Sequence, residues 1–277
     1  MKIGIFAKTF DRPTLEETFD AVVAAGVRHV QFNMSCAGLP SMPDEIDAAT
    51  SERIRRESES RGIVISAVSG TYNIIHPDPQ VRLDGLRRLR VVAESCHDVG
   101  SSVVTMCTGT CDPDYLWNAH PDNALPESWA DMVREMAKAV EIAEHADVTL
   151  AVEPEVSNVM DSAANARLLL DELASPRVKV VMDGANLFPA GSLPRMPEIL
   201  REAFDLVGGD VVLAHAKDLS RDGEAGHEAA GTGLLDYDLY VSLLASCGYD
   251  GPLLLHSLRE SLVPASVAFL RSKLAAE

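Results

Sequence analysis

Short apolar runs alternate with amphipathic stretches along the whole chain. The runs fall at 2–6, 28–33, 63–68, 102–106, 148–153, 178–182, 210–215 and 251–256, lengths that suit strands better than helices. Several are apolar on successive positions, as in Val-Val-Leu-Ala at 211–214, the pattern of strands covered on both faces of a parallel sheet. Between them apolar residues return at helical spacing, as at Leu15, Phe19, Val22 and Val23, and again at Leu83, Leu86, Leu89, Val92 and Ala93. Ala25-Gly26, Asp98-Val99-Gly100 and the Gly248–Gly251 turn are expected to stop three of these helices just before the next strand.

Eight strand–helix units spaced about 36 residues apart predict an α/β fold, a (β/α)8 TIM barrel in which residues 1–277 form one domain. Two dinucleotide-binding halves are the competing layout, but no linker rich in Pro, Gly or Ser divides the chain and no Gly-rich fingerprint follows the first strand. In such a barrel the chemistry gathers at the carboxyl ends of the strands. There the fifth run ends in Glu153, the sixth in Asp183 with Asn186 three residues on, the seventh in His215 and the eighth in His256. One such residue alone is explained by a helix cap or a satisfied buried imidazole. Four of them converging on one rim would repel and desolvate one another unless a cation neutralised the carboxylates, so a divalent metal is expected.

Composition narrows the partners. The net charge is −18 and hydrophobic residues make up 47%, which excludes disorder and argues against general nucleic-acid or anionic-membrane binding. Five scattered cysteines, an odd number, argue against a disulfide framework and for a reducing compartment. No signal-like leader and no apolar stretch of ~20 residues is seen, so a soluble cytoplasmic protein is expected. Cys107 and Cys111 lack a second Cys or His pair with zinc-site spacing. The long irregular stretch 107–126 is expected on the catalytic rim.

An ordered set of motifs now resembles the xylose isomerase-like TIM barrels, the family of sugar phosphate isomerases and epimerases. Its carriers are Tyr72-Asn73-Ile74-Ile75-His76-Pro77-Asp78, Ala151-Val152-Glu153, Met182-Asp183-x-x-Asn186, His215-Ala216-Lys217-Asp218, Gly231-Thr232-Gly233 and Gly248-Tyr249-Asp250-Gly251-Pro252. The resemblance implies that Glu153, Asp183 and His215 hold a divalent metal and that Arg221 lies near it. The chain departs from the family at the eighth strand, where His256 replaces the usual glutamate, and at Asn186, where epimerases often carry histidine.

With His256 as fourth ligand, two carboxylates and two neutral imidazoles leave the site neutral, against −1 for the three-carboxylate set. Nitrogen ligands shift preference from magnesium towards manganese, cobalt, iron or zinc, with manganese or zinc expected first. The implied activity is isomerisation or epimerisation of a sugar or sugar phosphate by proton transfer through a metal-stabilised enediolate. Glu153 is the expected base, with Glu155 or Glu260 as substitutes, and His256 and His76 complete the catalytic set. An imidazole nitrogen bound to metal cannot accept a proton, so two-face epimerisation is the step this substitution weakens. His76 would act as acid or hold a hydroxyl, or simply cap the Pro-Asp turn. Lys217, Arg221 and Lys8 are expected anion contacts, Asn186 a further substrate contact, and Trp117 and Tyr115 walls against a sugar ring. The alternatives are a metal-dependent dehydratase or lyase on a keto-polyol or sugar acid, and an accessory subunit that has lost catalysis. An abasic-site endonuclease would need more ligands than Gln31, Asn33 and Thr105 provide on the early strands. A small carbohydrate partner and a homo-oligomer are expected, with no nucleic acid or membrane partner.

Overall fold

The computed structural model describes residues 1–275. Its strands are β1 (Lys2–Phe6), β2 (His29–Phe32), β3 (Val64–Ser69), β4 (Val103–Met106), β5 (Thr149–Val152), β6 (Val178–Asp183), β7 (Val211–Asp218), β8 (Glu228–Ala229) and β9 (Pro252–Leu255). All eight anticipated runs are strands, and β8 is an unanticipated ninth. Each barrel strand pairs in parallel with its neighbours, β6 with β7 and β1 with β9, so the ring closes and leaves no open edge. β7 runs on to Asp218 because the short β8 pairs with it antiparallel, Lys217 opposite Ala229.

The helices α1 (Leu15–Ala24), α2 (Ala48–Ser60), α3 (Pro79–Ser95), α4 (Pro126–Ala146), α5 (Ala163–Leu173), α6 (Met196–Val207), α7 (Tyr237–Ser246) and α8 (Val263–Leu274) follow the strands in alternation. Several begin at a side-chain cap: Thr14, Asp47, Asp78, Ser162 and Asp236 each accept a backbone N–H of the first turn. Gly26, Gly100 and Gly248 close helices with φ of 76°, 94° and 81°, a region that costs a side-chain-bearing residue energy. Among the described residues no helix is long and apolar enough to cross a membrane.

Two cores result. The larger lies between ring and helices, and the smaller, made of Ala67, Ala151, Val181, Leu213 and Leu254, fills the inside of the ring. Successive side chains of a strand point to opposite faces, so the residue two positions after each inner one also points inward, one layer nearer the carboxyl rim. Those residues are Ser69, Glu153, Asp183, His215 and His256. The apolar inner layer is therefore the floor on which the polar layer stands.

Gly4 belongs to the same inner face. A β-carbon there would lie 2.4 Å from Leu254 Cδ2 and 2.5 Å from the His29 carbonyl oxygen, and the backbone atom cannot retreat. Gly4→Ala is expected to destabilise the protein by about 2–3 kcal/mol, read as a lower denaturant midpoint; an unchanged midpoint would contradict this account of the inner packing.

Candidate active site

The polar layer is held by a graded set of contacts. Asp183 accepts the Ala185 N–H on Oδ1 at 3.0 Å, while Oδ2 lies 3.2 Å from the ammonium of Lys217. His215 Nε2 is 2.9 Å from Gln31 Oε1, and the Gln31 amide donates to Ser69 and Thr105. This arrangement places the Nε2 proton toward Gln31 and turns Nδ1 to the carboxylates, 3.4 Å from Glu153 Oε1 and 3.7 Å from Asp183 Oδ2. The His256 ring is stacked on Phe6 at 3.9 Å between centroids and 21° between planes. Asp183, His215 and His256 each offer a ligand atom within 4.8 Å of the others. Asp183 Oδ2, His215 Nδ1 and His256 Nδ1 are all buried without a hydrogen-bond partner.

Glu153 stands beside this trio rather than within it. Its Oε1 accepts a 2.6 Å hydrogen bond from Asn186 Nδ2, and Asn186 Oδ1 in turn accepts the Gly226 N–H at 2.8 Å. Asn186 thus ties the fifth-strand carboxylate to the loop after β7. Lys217 Nζ reaches to 4.0 Å from Glu153, so one ammonium faces both carboxylates. It does not pair with Asp218, which points out of the ring and organises the loop by accepting the N–H groups of Leu219, Gly231 and Leu235.

The ionisation states follow from these neighbours. Burial opposes charging Asp183, yet Lys217 and His215 outweigh it and hold the carboxyl below its ordinary range. Burial likewise disfavours a charged His215, but Glu153 and Asp183 prevail and raise it from 6.5 to about 9. His256 is driven well below 6.5, by burial first and then by the cations Lys217 and His215, and is neutral. Glu155, buried, is raised by desolvation against the pull of the Ser157 N–H and Lys217.

A cavity of about 530 Å³ opens above this layer and is lined by Glu153, Glu155, Asn186, Lys217 and His256, with Lys8, Tyr115 and Trp117 on its walls. A second chamber of about 200 Å³ adjoins it and shares Phe6, Lys8, Trp117, Glu153 and His256. The stretch 107–126 therefore does reach the rim. Its base is fixed by Asn123, which donates to Ser157 O and accepts the Cys111 N–H, and by Asn73, which donates to Thr110 O.

Three expected residues are placed elsewhere. His76 uses both ring nitrogens in the loops, Nε2 on Pro113 O at 3.0 Å and Nδ1 accepting the Asp78 N–H at 3.0 Å, so it caps the Pro-Asp turn and lines neither chamber. Arg221 points to solvent and pairs with Glu224, because the chain turns outward after Asp218. Glu260 is engaged by Arg12 through two hydrogen bonds of 2.5 and 2.9 Å and is no base. Cys107 and Cys111 bond separately, to Tyr72 O and to Ser128.

Phe6, Gln31, Ser257 and Arg259 were not singled out as site residues from the sequence. The lone amide in His-Val-Gln-Phe and the inward register of Phe6 were the available signals; Ser257 and Arg259 carry none.

The family described as xylose isomerase-like TIM barrel matches residues 19–273. L-ribulose-5-phosphate 3-epimerase UlaE of Salmonella paratyphi A is 24% identical over 79% of this chain and 76% of its own length. The protein of the same name from Shigella flexneri is 24% identical over 69% of this chain, and the match spans 62% of its length. Among solved structures, 3-keto-D-glucoside 4-epimerase YcjR of E. coli superposes with a TM-score of 0.72 at 17% identity, over 98% of this chain and 99% of that one, a likeness of fold.

Ser257, next to His256, adopts φ of 55°, a left-handed conformation that costs a non-glycine residue about 1 kcal/mol. Ser257→Gly is expected to raise the unfolding free energy by about 0.5–1 kcal/mol, measured by chemical denaturation. A loss of stability would show that the conformation is not strained.

Proposed function

The chain belongs to the xylose isomerase-like TIM barrel family, and from that premise we propose that it is a divalent-metal-dependent isomerase or epimerase. Its substrate is a small carbohydrate carbonyl compound, and its reaction moves a proton at the carbon next to the carbonyl. The observation that carries this reading is that Asp183, His215 and His256 each bring a ligand atom within 4.8 Å of the others below a cavity lined by a carboxylate, in a layer where Asp183 Oδ2, His215 Nδ1 and His256 Nδ1 are buried without a hydrogen-bond partner. Buried polar atoms without partners are rare and costly. One carboxylate oxygen and two imidazole nitrogens suit manganese or zinc, with cobalt, iron or magnesium as alternatives.

Asp183, His215 and His256 would hold the ion, which when bound polarises the carbonyl and acidifies the neighbouring C–H. Gln31 fixes the ring of His215 from behind, as outer partners of ligating histidines commonly do. Glu153, held at Oε1 by Asn186, would take the proton. Lys217 offsets the negative charge that develops on the substrate oxygens. Trp117 and Tyr115 give apolar walls for a sugar ring.

One observation favours a second reading. Glu155 lines the same cavity as Glu153, and burial raises its pKa above the ordinary carboxylate value. Two carboxyl groups following one strand end, one of them harder to ionise than the other, suit loss of water across adjacent carbons as well as one-face isomerisation. The dehydratase reading is distinguished by the product, an unsaturated or deoxy-dicarbonyl compound rather than an isomer.

Stripping the metal with a chelator is expected to abolish solvent-deuterium exchange into the ketose substrate, and manganese or zinc should restore it. Asp183→Asn should weaken metal affinity by at least about 100-fold, and Glu153→Gln should cost about 10²–10⁴ in rate while leaving metal affinity within a few-fold. Full activity after chelation would remove the proposal.

Metal uptake should also release a proton. His215, raised to about 9, is protonated at pH 7 in the metal-free protein and must become neutral to bind an ion. Calorimetry in buffers of different ionisation enthalpy is expected to show release approaching one proton per ion at pH 7, falling towards zero as the pH rises through 9. Release that is absent at pH 7 would contradict the assignment of His215.

A further inference from the structure

Positive charge in this protein is mostly spoken for. Seventeen of the 24 Lys and Arg side chains have a carboxylate within 4.0 Å. Lys8 and Arg259 have none among the described residues, and both line the cavity above the polar layer. A molecule of charge −18 that leaves two cations uncompensated on one cavity wall has made that wall attractive to an anion.

The topology explains why they meet. β1 and β9 are hydrogen-bonded neighbours, Ile5 opposite Leu255, so the segments that follow them emerge side by side. Lys8 lies two residues past the end of β1 and Arg259 four past the end of β9. Arg12 and Glu260 then clamp these two segments together through the paired hydrogen bonds of 2.5 and 2.9 Å. The clamp also neutralises Glu260, the carboxylate adjacent to Arg259 in sequence. The cavity's own carboxylates, Glu153 and Glu155, follow β5, which stands across the ring from β1. They are already engaged by Asn186, by Lys217 and by the Ser157 N–H and Asn158 side chain. The cavity is therefore divided, with proton-transfer groups at β5 and unpaired cations at the β1–β9 seam.

We infer that the substrate carries an oxyanion group, a phosphate or a carboxylate, remote from its reacting carbon, and that Lys8 and Arg259 receive it with the hydroxyls of Thr9 and Ser257 on the same wall. A guanidinium fork and an ammonium provide charge-assisted hydrogen bonds suited to such a group. The inference names the substrate class of the site described above, and it rests on that reading only for which end of the molecule reacts.

The test uses binding rather than turnover. Inorganic phosphate and acetate are titrated calorimetrically into the metal-stripped protein at low salt, with Lys8→Met, Arg259→Met and Arg201→Ala variants alongside. Arg201 is likewise without a carboxylate partner among the described residues but lies outside the cavity, so its loss controls for the change in net charge. Saturable binding is expected for at least one anion, weakened on the order of tenfold by either Met substitution and within twofold of wild type in Arg201→Ala. Tighter phosphate binding identifies a phosphorylated substrate, tighter acetate binding a sugar acid, and either supports the inference. Absence of saturable binding for both anions overturns it, as do Met variants that bind like wild type or an Arg201→Ala loss of equal size. Folding of each variant is checked by its thermal midpoint, and the double Lys8→Met, Arg259→Met variant repeats the test if one single variant fails to fold. Because no metal or turnover is involved, failure here leaves the metal-dependent reading intact, and a metal-independent enzyme would leave this inference intact.

Discussion

Two carboxylates held out of water within reach of one imidazole set the terms for everything at the mouth of this barrel. Glu153 and Asp183 both face His215 Nδ1, and such a pair persists in a buried setting only when positive charge accompanies it. The protein supplies part of that charge from within, through Lys217. The ammonium leaves the pair half compensated, and His215 takes up a proton to make good the remainder. On the proposed reading, a divalent ion and that proton would be alternatives for the same electrostatic deficit. This also tempers the expectation drawn from the sequence, where metal was the only neutralising cation considered.

The geometry that creates the deficit comes from the alternation of side chains along extended chain. Small residues, Ala67 and Ala151, sit with Val181, Leu213 and Leu254 inside the ring, and the next inward position on each of their strands is polar. The site is thus a second storey built on an apolar one. Its precision derives from strand register, Asp183 opposite His215 and His215 opposite Leu254, with the longer loops contributing the walls and the approach.

That dependence on register explains what could be read in advance. Glu153, Asp183, His215 and His256 were legible because each ends an apolar run, and strand direction fixes where run ends gather. The barrel itself was legible for the same reason. Arg221 and His76 were misplaced because they lie in irregular segments whose turns no periodicity describes: one swings outward after Asp218, the other is clamped to Pro113 O. The inward course of Lys217, against the outward course of Asp218, follows only once β7 is known to continue, and it continues because β8 pairs with it. Arg259 is invisible to sequence reasoning, since it matters by lacking a partner, and partners across 248 positions, as for Arg12 and Glu260, carry no local signature.

The stacking of Phe6 on His256 joins the first strand of the ring to the last. During synthesis the aromatic platform leaves the ribosome about 250 residues before the imidazole that stacks on it. No nascent intermediate lacking β9 can bring Asp183, His215 and His256 together, so the polar layer is incomplete until the ring is ready to shut. The order in which the residues are made therefore makes completion of the polar layer one of the last events of barrel assembly.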